Sequence, residues 1–99
     1  LGTKTAEYVK DEYPVAELDC IAVKGKTEGV KIYTLAEETE EHKDFLSSYY
    51  SGDWFSARVI AEHLAERESP LQHYYESMLD RIKAGLPKNW DGTFRATSK

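Results

Sequence analysis

Val23-Lys24-Gly25-Lys26-Thr27-Glu28-Gly29-Val30-Lys31-Ile32-Tyr33 decides how this chain folds. Gly25 and Gly29 bound a polar turn, and an alternating run follows through Leu35. Val30, Ile32 and Thr34 fall on one face of that run, Lys31, Tyr33 and Leu35 on the other, which is the period of a strand. Before the turn, Asp19-Cys20-Ile21-Ala22-Val23-Lys24 has the length and the apolar content of a partner strand. Two such runs around a glycine-bounded turn predict an antiparallel hairpin over about 19–35. A lone hairpin is marginal in water, so one face needs a helix or more sheet.

Working outward, residues 3–10 predict a short helix, and Pro14 stops it before Tyr13. Downstream the period changes. Phe45, Leu46, Tyr49 and Tyr50 mark one face of a helix over 37–51, with the acids Glu37 to Glu41 at its dipole-positive start and Gly52 as its stop. Asp53 caps a second helix whose stripe is Trp54, Ala57, Ala61 and Leu64, flanked by Ile60. Ser69-Pro70-Leu71-Gln72 predicts a third helix, with Ser69 as N-cap and Gln72 as its capping-box partner. Leu71, Tyr75, Met78 and Ile82 form its stripe, and Gly85 and Pro87 end it. Short loops make the three helices antiparallel neighbours. In the tail, Trp90 and Phe94 flank an Asp91-Gly92 turn, and large aromatics in so polar a stretch are expected to dock on the helices or the hairpin.

The chain has 99 residues and a net charge of −5, enough for one small domain and wrong in sign for a nucleic-acid binder. Residues 37–86 carry eleven acids against five bases, which predicts solvated outer helix faces. The single cysteine, Cys20, rules out an internal disulfide and fits a reducing, cytoplasmic setting. No apolar run reaches the roughly 18 residues of a membrane span, no signal-peptide pattern opens the chain, and no membrane contact is expected from this segment. His42, His63 and His73 lack the spacing of helical metal ligands and read as surface or boundary residues. Glu62 with Glu66, and Glu76 with Asp80, share helix faces but no evident cleft; Arg58–Glu62 and Asp80–Lys83 are expected as surface pairs. The aromatic set Tyr49, Tyr50, Trp54, Phe55, Tyr74 and Tyr75 is dense for so small a core, and Tyr50, Trp54 and Tyr74 are candidates for a partner-binding groove.

Two blocks carry a family resemblance. Residues 18–35, centred on Val23-Lys24-Gly25-Lys26, resemble the last two strands of the catalytic domain of class III adenylate/guanylate cyclases. Pro87-Lys88-Asn89-Trp90-Asp91-Gly92-Thr93-Phe94 and Thr97-Ser98-Lys99 are similar to the C-terminal ends of bacterial cyclases of that class. Between them, Tyr49-Tyr50-Ser51-Gly52-Asp53-Trp54-Phe55-Ser56-Ala57 resembles the helix-turn-helix joint of a tetratricopeptide repeat, although Asp44 and Ser48 stand where that family has apolar residues.

Taken together, the resemblances imply an α+β chain: a catalytic-domain remnant over 1–36, a three-helix repeat-like extension over 37–86 on which the hairpin packs, and a docked tail over 87–99. They imply a parent enzyme that converts ATP or GTP to a 3′,5′-cyclic monophosphate and pyrophosphate for intracellular signalling. Its active site would be built by two domains, hence a homodimer, with two magnesium or manganese ions held upstream of the hairpin. No catalytic or metal-binding residue falls on this chain, which is expected to be inactive alone and to need the rest of the catalytic domain as its partner. Lys24 corresponds to the family lysine that reaches the triphosphate, with Lys26 as a more solvated second. The other reading of both lysines is that they blunt an exposed strand edge. The rival to the enzyme reading is a tetratricopeptide-like adaptor that holds a peptide, and a third possibility is a dimerisation element.

Overall fold

The computed structural model describes residues 2–23, 25, 26 and 28–95. The chain is α+β and divides into two units, a sheet unit of Leu1–Glu38 with Gly92–Lys99 and a helical unit of Thr39–Asp91.

In the sheet unit, α1 (Thr3–Val9) precedes β1 (Val15–Ala22) and β2 (Val30–Leu35). The two strands pair antiparallel, from Val15 opposite Leu35 to Ile21 opposite Val30. The hairpin is therefore where its alternation and turn place it. β1, however, begins at Val15 rather than Asp19 and ends at Ala22. A bulge explains the difference: Glu17 faces Tyr33 and Asp19 faces Ile32, so Leu18 is the extra residue. One extra residue breaks strict alternation and hides the first half of the strand from a period-two reading. Ala16 and Asp19 are both buried, and the Asp19 carboxylate accepts the Cys20 N–H at 2.8 Å. α1 packs on β2, with Ala6 buried.

The tail supplies β3 (Phe94–Arg95), and the strand order is β2-β1-β3. β3 runs parallel to β1, with Ile21 opposite Phe94 and Ala22 opposite Arg95. Two residues are too few to show a period, so this strand is silent in the sequence. Gly29, Cys20 and Thr93 meet where the tail crosses the hairpin. The Cys20 Sγ lies 3.4 Å from Thr93 Oγ1, and a Cβ on Gly29 would fall 2.6 Å from each of those atoms. Any side chain at position 29 would therefore force Cys20 or Thr93 to shift.

The helical unit comprises α2 (Glu40–Ser51), α3 (Trp54–Ala65) and α4 (Gln72–Lys83). α2 starts later than the acidic run suggests, because Thr39 caps it through Oγ1, which accepts the His42 N–H at 3.1 Å. Only Glu40 and Glu41 lie in its first turn. Gly52 ends α2 at φ 91°, a left-handed conformation open to glycine. Asp53 caps α3 as expected, its carboxylate accepting the Ser56 N–H at 3.2 Å. The third start signal reads differently in three dimensions. α4 begins at Gln72 with Leu71 at its cap and no side-chain cap bond. The Gln72 amide instead donates to the Ala65 carbonyl at 3.0 Å, so it serves the end of α3 rather than the start of α4.

Most of the expected stripe residues form the core: Phe45, Leu46 and Tyr49 from α2; Trp54, Ala57, Ala61 and Leu64 from α3; Tyr75, Met78 and Ile82 from α4, joined by Leu79, which lay outside the expected stripe, while Tyr50 and Leu71 are only partly buried against it. His42 corrects its surface assignment. It is 1 % exposed and its Nδ1 lies 2.8 Å from the Tyr75 hydroxyl, in a box of Phe45, Tyr74 and Tyr75 rings. Trp90 docks on this core, as a large aromatic in a polar tail should. No helix among the described residues is long and apolar enough to cross a membrane.

Candidate functional site

Three places hold the residues singled out by the sequence. The first is the loop between β1 and β2. The Lys26 N–H donates to the Val23 carbonyl at 3.0 Å, Gly25 sits at φ 88°, and the Lys26 side chain is exposed. Lys24 lies outside the described residues. On the strands beside the loop, Lys31 pairs with Glu17 at 3.5 Å. The loop therefore projects Lys26 from a sheet whose strands fix its two ends.

The second is the aromatic assembly of the helical unit. Tyr49, fully buried, stacks on Trp54 with ring centroids 5.3 Å apart, and Trp90 meets both rings edge-on at 5.2 Å. Both indoles converge on the end of α2. Trp54 Nε1 donates to the Tyr49 carbonyl at 2.9 Å, and Trp90 Nε1 donates to the Tyr49 and Tyr50 carbonyls at 3.1 and 3.0 Å. These are carbonyls of the last helical turn, where the helical ladder runs out, and the Gly52 N–H at the cap also reaches the Tyr49 carbonyl at 3.3 Å. Arg81 donates to the Tyr49 hydroxyl at 2.8 Å. Trp54 is thus a core residue. Tyr50 is half-buried beside Tyr49 near the end of α2, and Tyr74 is half-buried beside His42 and Phe45 near its start. Tyr50 and Trp54 thus both lie against Tyr49 at the end of α2, and Tyr74 lies toward its start.

The third place was not legible as a site from sequence. A groove of about 320 Å³ runs between α2 and α3, lined by Glu41, Asp44, Val59, Ile60 and His63. At its end Arg67 grips Glu41 with two hydrogen bonds, 2.7 and 3.0 Å long. Those bonds hold the Glu41 carboxyl below its usual range, against the opposing effect of desolvation. Arg67 Nη2 also lies 2.6 Å from His63 Nε2, and since a guanidinium only donates, that ring nitrogen accepts. Arg58 and Glu62 pair on the outer face of α3, as their spacing predicted. The signal that could have revealed the groove is that Phe55 and Val59 are apolar yet lie off the core stripe of α3.

Among the described residues, no group of three or more His, Cys, Asp or Glu side chains is placed to hold a metal ion. The loop offers a cation to an anion, the aromatic assembly offers structure, and the groove offers an acidic, apolar-lined surface. Compared with protein-family models, with curated proteins and with solved structures, the chain matches none.

Proposed function

We propose that this chain is the C-terminal part of a bacterial class III nucleotide cyclase, and that Lys24, with Lys26 beside it, faces the triphosphate of the substrate in the parent enzyme. The observation that supports this reading is the register of the sheet. The two blocks that resemble the cyclases are far apart in sequence, yet Ile21 of the first and Phe94 of the second are direct strand partners. A tail that completes the hairpin's sheet belongs to the same structural module as the hairpin.

The chemistry asked of Lys24 is electrostatic. Negative charge grows on the departing pyrophosphate as the ribose 3′-oxygen attacks. An ammonium held near that charge lowers the transition state more than the ground state. The two divalent ions of the parent would be held elsewhere in its catalytic domain, and no step assigned to this chain runs through them.

Within this reading the helical unit is a repeat-like extension. Gly52 supplies the sharp joint between α2 and α3, and Ala57, fully buried, lets the two helices approach closely. The same features favour a second reading, a tetratricopeptide-like adaptor with no enzymatic parent.

The test separates the two. The parent protein, assayed with ATP and then GTP in manganese, forms a cyclic nucleotide if the first reading holds, and Lys24→Ala lowers turnover by roughly 100-fold. The 99-residue chain alone turns over nothing. A parent inert toward both nucleotides, or a Lys24→Ala variant at full rate, removes the reading.

A further inference from the structure

The groove between α2 and α3 has a chemistry that neither reading above uses. Its apolar side is formed by Val59 and Ile60. Val59 is 51 % exposed, and Phe55, one turn earlier on the same face of α3, is 80 % exposed. An adjacent phenylalanine and valine left to solvent on a helix otherwise packed through its core stripe form a strip without a cover among the described residues.

Its acidic side is formed by Glu41 and Asp44. Glu41 is committed to Arg67 through two hydrogen bonds. Asp44 is exposed and pairs with no cation among the described residues. The helical unit as a whole carries ten acids against six bases. A second copy of the chain would bring acid against acid here, and an anionic lipid surface would be repelled for the same reason.

We propose that this groove docks an amphipathic helix of a partner protein, one that carries lysine or arginine beside its apolar stripe. The apolar residues of the partner cover Phe55, Val59 and Ile60, and its cation meets Asp44. Glu41, fixed by Arg67, gives the groove a rigid end and sets where the partner's charge can lie. The pairing supplies both terms a surface site needs: apolar area for affinity and opposite charge for choice of partner. It stands independently of the cyclase reading, because it uses only residues of the helical unit.

The probe is a synthetic leucine/lysine peptide of helical periodicity, about 18 residues or five turns long, set against its leucine/glutamate counterpart. Each is titrated into the isotopically labelled 99-residue chain and followed by amide chemical shifts. The lysine peptide is expected to bind saturably and to shift the amides of residues 41, 44, 55, 59, 60 and 63, while the glutamate peptide leaves them in place. Asp44→Lys weakens the lysine peptide about fivefold and admits the glutamate peptide. Val59→Asp weakens the lysine peptide by about tenfold or more. Phe55→Ser, at a position outside the core, replaces Val59→Asp if that variant fails to keep its helical circular dichroism. Equal binding of the two peptides, shifts centred elsewhere, or indifference to both substitutions overturns the proposal. Groove amides that shift with protein concentration alone also overturn it, since a second copy would then be the occupant.

Discussion

Removing Trp90 should reveal how much of the helical unit's stability comes from a residue outside its helices. Trp90 is half-buried, touches the rings of Tyr49 and Trp54 edge-on, and lies 3.4 Å from where a Cβ on Gly52 would sit. Truncating a fully buried tryptophan to alanine costs about 3–5 kcal/mol, so about 2–3 kcal/mol is expected for Trp90→Ala. Trp90→Phe keeps an aromatic ring against Tyr49 and loses the indole N–H. The Tyr49 carbonyl still receives Trp54 at 2.9 Å and the Gly52 N–H at 3.3 Å, so the change should cost only about 1 kcal/mol. Set against a total of about 5–15 kcal/mol for a small domain, the alanine variant gives up a large share. Its midpoint should fall by roughly 10–20 °C. Urea unfolding by circular dichroism measures both variants. The chain has two tryptophans, so either substitution leaves Trp54 as the lone fluorescent reporter of the core. Trp90→Ala within about 0.5 kcal/mol of the unaltered chain would refute the reasoning. A phenylalanine variant as weak as the alanine one would shift the credit from ring packing to the indole hydrogen bonds.

Gly29→Ala drives a Cβ to within 2.6 Å of Cys20 Sγ and Thr93 Oγ1, and a loss of about 1–3 kcal/mol is expected in a thermal melt, part of it recovered when Cys20→Ala is added. Burial raises the Tyr75 hydroxyl to about 12, with the Glu41 charge adding to the effect. Because the folded value lies above the unfolded one of 10, the stabilisation is complete below pH 10 and is lost as pH rises toward 12; a tyrosinate absorbance titration should show one late component that Tyr75→Phe removes. The Glu41 carboxyl is shifted the other way, below 4.5, by the Arg67 hydrogen bonds, so this pair stabilises above that pH and its help fades as pH falls through the depressed value. Arg67→Gln should therefore flatten the acid limb of the stability profile; an unchanged limb would show that the pair contributes nothing.

The parts of the fold that read well from sequence are those set by neighbours along the chain. Alternation around a glycine-bounded turn located the hairpin, and Gly52-Asp53 located the α2–α3 joint, because each signal is local and each has one structural outcome. The bulge at Leu18 defeated the same logic, since a single inserted residue reverses the inside–outside pattern for the rest of β1. His42 shows a different failure. Residues 42, 45, 46 and 49 have ideal helix-face spacing, but a polar ring earns a core place only through a partner, and Tyr75 lies 33 positions away. β3 fails for the same reason: its two residues become a strand only because β1 is beside them. The groove at Asp44 and Val59 was hidden because an acidic helix face ordinarily means solvent, and the pattern of one helix does not disclose the apolar side chains a neighbour sets beside it.

The return of the tail to the edge of β1 gives the chain an order of assembly. Everything from Leu35 to Phe94 is, for the sheet, a detour that must be closed before the third strand can join. Closing a floppy connection costs entropy that rises with its length, by roughly 0.6 kcal/mol per doubling. If the three helices condense first, the slack shortens to the residues that flank them. On that order the sheet would wait on its insert, and a lesion in the helices that never touches a strand would still delay the moment when the last strand is laid down.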